Sequence, residues 1–243
     1  MTINDPEALS PLLRRWEKRI HLSAADRKAI ANLPWTRRSF ARNAYLVREG
    51  EPPSECGLLL SGMTCRQKVT IRGARQILSF HIPGDFVDLQ NCLLGEADHN
   101  VQAVNRSEVA IIPTDVLAEL TSSHPAIGRA MWLDTLIDSS VLREWVVNLG
   151  RRNARSRISH LLCELSLRLQ ASGLTEQRTC VFQFNQQDIA DATGLTDVHT
   201  NRTLHALRRD GLISLSFRSV KVLDWQGLKD EGEFSERYLH HAA

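Results

Sequence analysis

The sequence predicts an α+β chain: an antiparallel β-roll first, a long helix next, and a helical hairpin with a small β-wing last. Three observations predict it. Residues 42–113 hold short runs of strand-forming residues separated by turn formers. Residues 125–150 are apolar at helical spacing nearly all the way round. Residues 184–224 read as two helices about one glycine, followed by two short strands. With 243 residues, 42% of them hydrophobic and 24% charged, the chain suits one large or two small domains and is too apolar for disorder. Collagen-like and coiled-coil compositions are excluded.

Taken in order, residues 5–33 read as helical, with Leu9, Leu12, Leu13, Trp16 and Ile20 at helical spacing. Strand runs follow at 44–47, 56–62, 63–70, 75–82 and 107–113. Turn formers divide them: Gly50, Pro52-Pro53, Ser61-Gly62, Arg72-Gly73, Pro83-Gly84-Asp85 and Gly95. Thr114 suits the N-cap of a short helix over 115–120, and Pro125 the first turn of a long one reaching 147–150. Ile127, Met131, Trp132, Leu133, Leu136, Ile137, Val141, Leu142, Trp145 and Val146 cover most of that long helix's circumference. Such a helix is buried on several sides, so one face is expected on the β-roll and another on a second subunit. A central helix in a monomer is the alternative. Asp134 and Asp138 interrupt the seam, which is therefore no ideal coiled coil.

A third long helix runs from 151 to Ser172-Gly173, with Ile158, Leu161, Leu162, Leu165, Leu167 and Leu169 for a core. Arg151, Arg152, Arg155 and Arg157 crowd its start against the macrodipole, so an anionic partner or a solvated linker is expected there. Asn185 then caps a helix from Gln186 to Thr193, Gly194 closes it, and Thr196 caps a second helix ending at Arg209. Val198, Leu204 and Leu207 are left for packing, and Asp197, His199, Asn201, Arg202, His205 and Arg208 for the outside. The strands 212–217 and 220–224 form a wing that places Arg218 and Lys221 for phosphates. This is a winged helix-turn-helix, whose second helix is narrow enough for the major groove; Arg pairs with guanine and Asn with adenine.

Charge follows the same division. Residues 1–150 hold 17 basic and 17 acidic side chains, residues 151–223 hold 11 and 6, and residues 224–243 hold 2 and 5. The net charge of +2 thus averages a neutral first part, a basic segment suited to a polyanion and an acidic tail. The start lacks the apolar stretch of a signal peptide, and no run approaches a membrane span, so a cytoplasmic protein without a membrane partner is expected. Cys56, Cys65, Cys92, Cys163 and Cys180 include no C-x-x-C pair, which leaves them idle thiols or, for Cys56 and Cys65 facing each other across a hairpin, redox sensors.

With FHIPGDF at 80–86, a long helix and ATGLTDVHTNRTLHALRRDGLI at 192–213, the chain resembles the Crp/Fnr family of bacterial transcription regulators from about residue 22 to 224. The resemblance implies a cyclic-nucleotide-binding-domain-like β-roll and a homodimer paired through its long helices. It also implies double-stranded DNA carrying a pseudo-palindromic site, bent on binding, and RNA polymerase as a further partner. The implied domains are a sensor-like N-terminal helix and β-roll at 1–122, a dimerisation helix at 123–150, a DNA-binding domain at 151–226 and the acidic tail at 227–243. Base-reading positions fall on Asp197, Val198, His199, Asn201 and Arg202, the last matching the family's recurrent reading arginine. Val198 stands where many members have a glutamate; valine cannot accept from cytosine but packs on a thymine methyl.

In the sensor half, effector-pocket candidates are Asp88, Leu89, Gln90, Asp98, His99 and Asn100. Cyclic-nucleotide binders of the family hold the ribose with a glutamate and the phosphate with an arginine; here Leu89 and His99 stand in those places. A buried phosphodiester without its arginine loses a pair worth roughly 1.5–3 kcal/mol, so tight cyclic AMP binding is not expected. Residues 1–30 lack the cysteines of the oxygen sensors' iron–sulfur cube. No cofactor and no metal is expected, although His81 and His99 leave haem open, each being either a ligand or a polar residue satisfied in place. Two other classes remain: an enzyme built on a cupin-like β domain, which this sequence gives no H-x-H or H-E-x-x-H spacing, and a ligand-sensing adaptor that does not bind DNA.

Overall fold

The computed structural model describes residues 6–52, 54–174, 181–182, 184–216 and 219–240. They divide into two compact units, one built up to Gln67 and from Phe80 to Asp138, the other joining Lys68–Ser79 to Ser139–His240.

The first unit opens with a 3-10 turn at Pro6–Leu9, then α1 (Ser10–Glu17) and α2 (Ala24–Ala31). The single helical stretch expected over 5–33 is broken because Ser23 starts anew: its hydroxyl accepts from the Asp26 amide while Asp26 accepts from the Ser23 amide. Seven strands follow: β1 (Thr36–Phe40), β2 (Tyr45–Val47), β3 (Glu55–Ser61), β4 (Thr64–Val69), β5 (Arg75–His81), then β6 (Asn100–Ala103) and β7 (Ser107–Pro113) after the one-turn helix α3 (Asn91–Leu94). They form two sheets, ordered β1-β7-β3 and β2-β6-β4-β5. Leu58 pairs with Ala110 and Thr64 with Ala103 in antiparallel register. This is the expected β-roll, with β1 and β6 added. Gly62 turns β3 into β4 at φ 87°, where a Cβ would strike the Arg106 carbonyl.

α4 (Thr114–Ser123) and α5 (Pro125–Arg151) follow. Thr114 is not the cap: Pro113 holds that place, and the Thr114 hydroxyl donates to Ser54 O. The first unit's main core gathers Leu12 and Trp16 of α1, Leu58 of β3, Ile112 of β7 and Ile127 and Met131 of α5. Asp134, which interrupts the apolar pattern of α5, accepts from Trp16 Nε1 at 2.7 Å and pairs with Arg15 and Arg19; Asp138 pairs with Arg66 at 2.6 Å. On another face of α5, Trp132 (68%) and Val146 (64%) stay exposed together with Leu136, Leu142 and Val147.

The second unit holds α6 (Ala154–Ala171), β8 (Val181–Phe182), α7 (Gln186–Thr193), α8 (Asp197–Arg209), β9 (Ile213–Ser216), β10 (Ser219–Val222), α9 (Trp225–Glu231) and a 3-10 turn at Glu236–Leu239. β8, β10 and β9 form a small sheet in that order, the expected wing with one strand more. The stretch 227–243, acidic in composition, is folded where it is described: Leu228, Phe234 and Leu239 are buried. A Cβ on Gly232 would lie 2.7 Å from the His160 amide of α6, which measures how closely the two backbones approach. Beneath them the fully buried Glu164 accepts from Trp145 Nε1 and from the Tyr238 hydroxyl, both at 2.9 Å, and burial pushes its carboxyl above the usual range. Among the described residues no helix is long and apolar enough to cross a membrane.

Candidate nucleic-acid interface

Two helices set at a fixed angle need both ends of the joining turn locked. Asn185 caps α7 by accepting from the Asp188 amide, and Asp188 accepts in return from Asn185 N, a reciprocal box. Gly194 ends α7 in the left-handed region at φ 63°. Leu195 N then donates to Ala190 O at 3.0 Å, and Thr196 caps α8 by accepting from the His199 amide. Arg157 Nη1 donates to the Thr193 carbonyl at 3.1 Å, meeting the negative end of α7. A clasp from the β4–β5 hairpin tip, within the same unit, fixes the other end. Arg75 lies 2.8 Å from Asp188 and 2.5 Å from Asp191.

With α7 held, α8 presents two faces. Thr200, Thr203, Leu204 and Leu207 are buried. Asp197, Val198, Arg202, His205 and Arg208 are exposed, and His199 and Asn201 half-buried. Val198, expected partly for packing, is 81% exposed: it sits in the first turn, on the side away from Leu204 and Leu207. Lys221 projects from β10, exposed between buried Val220 and Val222. Arg218 lies outside the described residues. Asn201 Nδ2 donates to Gln186 Oε1 at 2.9 Å, which adds the first residue of α7 to this surface. Only the helix boundary hinted at Gln186; its partner is distant in sequence.

The arginines at 151–157 do not await an external anion as a group. Arg152 pairs with Glu144 at 2.7 Å, and Arg155 with Asp210 at 2.8 Å and Glu231 at 2.9 Å. Arg155 thereby holds the Asp210 carboxyl below its ordinary range. Among the described residues Arg202, Arg208 and Lys221 form no ion pair, whereas Arg152, Arg155 and Arg168 each pair with a carboxylate.

The sensor-half residues behave differently. His99, buried, lies with Nε2 3.1 Å from Asp88 Oδ1 and Nδ1 2.5 Å from Asp98 Oδ1. Leu89 packs on the core, Gln90 accepts from Arg66, and Asn100 accepts from the Glu49 amide. Of six residues, three therefore converge. Two carboxylates about one imidazole do not suit a cyclic phosphodiester, which needs a fixed cation in that place. His81 is likewise engaged, with Nδ1 3.0 Å from Thr64 Oγ1. Neither Asp88, His99 and Asp98 nor any other group of His, Cys, Asp and Glu among the described residues is arranged to hold a metal ion.

An antiparallel roll, a long helix and a winged helix-turn-helix with cations along its second helix define a DNA-binding transcription regulator. Comparison with known proteins narrows this. Residues 37–124 match the cyclic nucleotide-binding domain and residues 156–231 the Crp-like helix-turn-helix domain. The chain is 28% identical over 221 residues to the nitrogen fixation regulation protein FixK of Azorhizobium caulinodans, covering 88% of each. It is 27% identical over 198 residues to the transcriptional activator protein FnrL of Cereibacter sphaeroides, covering 80% of this chain and 79% of that one. The structure of FixK2 from Bradyrhizobium japonicum superposes with a TM-score of 0.70 at 23% identity, over 81% of this chain and 96% of that one. The chain belongs to the Crp/Fnr family of transcription regulators.

Proposed function

We propose that the protein is a homodimer that reads a pseudo-palindromic duplex by placing α8 of each copy in successive major grooves. The exposed cationic side chains Arg202 and Arg208 of α8 carry this reading. Arg202 is assigned to a guanine, Asn201 to an adenine, and Val198 to a thymine methyl, with Asp197, His199 and His205 as further base or backbone contacts. Arg208, Lys221 and Arg218 are assigned to phosphates. The apolar stripe of Trp132, Leu136, Leu142, Val146 and Val147 supports pairing of two α5 helices, within the segment 123–150. RNA polymerase is the further partner, the compartment cytoplasmic, and no catalytic activity is assigned.

In this reading the β-roll, about residues 1–122, responds to a signal other than a cyclic nucleotide, or to none. Leu89 and the Asp88–His99–Asp98 group support that choice. Titration calorimetry with cyclic AMP is expected to show no binding at micromolar ligand; a micromolar or tighter isotherm overturns it.

Two substitutions test the DNA assignment. Arg202→Ala is expected to cost about 1–3 kcal/mol per half-site on the preferred duplex and little on random DNA. Lys221→Ala is expected to weaken both alike and, with one lysine lost from each copy of the dimer, to reduce the salt slope by about 2. Fluorescence anisotropy in a salt series measures both. Equal losses for Arg202→Ala on the two duplexes remove it from base reading.

A further inference from the structure

One pair of side chains in the first unit is absorbed by neither the fold nor the DNA surface. Cys56 lies on β3, 1% exposed. Cys92 lies on α3, half-buried, and packs on the same core cluster. The chain between β5 and α3 is laced to β3. Gly84 N donates to Leu59 O at 2.8 Å, Leu59 N to Asp85 O at 3.0 Å, and Val87 N to Gly57 O at 2.7 Å. Phe86 bridges to Leu58. Just beyond, Cys92 N donates to Leu89 O at 3.2 Å, and the Cys92 side chain interacts with that of Cys56.

We propose that Cys56 and Cys92 are a redox-active thiol pair that a hydroperoxide converts to a disulfide, fastening α3 to β3. The unequal surroundings of the two sulfurs assign their roles. The hydrogen bond from Cys56 holds the Cys92 thiol below its ordinary pKa, while the same contact and burial push Cys56 up. Cys92 is also the more accessible, so it is the attacking thiolate and Cys56 the resolving thiol. In the first step the Cys92 sulfur attacks a peroxide oxygen, the O–O bond breaks, and the departing oxygen takes a proton, leaving Cys92 as a sulfenic acid. In the second, the Cys56 sulfur attacks the Cys92 sulfur, the S–O bond breaks, and water leaves with the Cys56 proton. Two thiols are oxidised to one disulfide and one peroxide is reduced to two waters, or to an alcohol and a water when it is organic.

The consequence falls where the sensor-half residues converge. Asp88 is buried, acts electrostatically on both sulfurs and holds a backbone φ of 133°, and its carboxylate is 3.1 Å from His99. A bond between Cys56 and Cys92 therefore alters the loop that carries this aspartate. The notion of Cys56 as a sensing thiol was open from the sequence; the partner the structure assigns is Cys92.

The test uses the full chain treated with hydrogen peroxide, alkylated under denaturing conditions and digested without reductant. Mass spectrometry is expected to find the Cys56 and Cys92 peptides linked, lighter by their two thiol hydrogens, and separated again by a dithiol reductant. In Cys56→Ser, dimedone is expected to trap a sulfenic acid on Cys92. Full alkylation of both thiols after peroxide overturns the proposal. So does over-oxidation of Cys92 with Cys56 still alkylated, or a link from either residue to another cysteine. The first readout needs no variant, so a poorly folding mutant does not blunt it.

Discussion

His160 shows how one side chain couples burial to pH. Its Nδ1 lies 3.2 Å from Gly232 O and its Nε2 3.0 Å from the Tyr238 hydroxyl, with the Phe234 ring edge-on. Burial, then the charge of Arg152, push its pKa from 6.5 down to about 4. Between those values the unfolded imidazole binds more protons than the folded one, so stability is lost as pH falls through that window, by up to about 3 kcal/mol. The raised carboxyl of Glu164 acts in the opposite sense, which makes a difference measurement necessary. Urea unfolding at about pH 7 and about pH 4.5 is expected to show a smaller loss for His160→Gln than for the parent chain. Equal losses would place the acid sensitivity elsewhere.

At the scale of elements, the turn between α7 and α8 decides how the exposed face of α8 is presented. Gly194 holds a conformation that strains any residue with a Cβ: φ is 63°, and an added Cβ would sit 3.2 Å from Leu149 Cδ2. Gly194→Ala is expected to destabilise the protein by roughly 1–2 kcal/mol, read as a lower urea midpoint with unchanged slope. A midpoint unchanged or raised would mean the left-handed cap is dispensable. This hairpin was legible because its signals are local: Asn185 with Asp188, then Gly194, then Thr196. Strands β1 and β6 were not. β1 reads TRRSF and is exposed along nearly its whole length, so no alternation marks it; pairing with β7 makes it a strand. Within the site, the outward residues of α8 followed from helical spacing, apart from Val198. The link from Gln186 to Asn201 and the acidic partners of Arg152 and Arg155 depend on tertiary approach, which spacing does not encode.

Across the whole molecule, charge and apolar surface divide the work. The net charge of +2 conceals a basic segment in which Arg152 and Arg155 pair with acids of their own unit while Arg202, Arg208 and Lys221 do not, so α8 and the wing offer cations to a polyanion. In the proposed dimer the exposed apolar stripe on α5 meets a second copy, and two-fold pairing turns one α8 surface into two. Both features meet in one prediction: the preferred DNA has two-fold symmetry, with half-sites about one helical turn apart, roughly 10 base pairs. Selection of bound duplexes from a random pool tests this most directly. The account predicts enrichment of inverted half-sites by the parent chain, and loss of that sequence preference with Arg202→Ala. Enrichment of a single asymmetric motif, or of no motif at all, would contradict it.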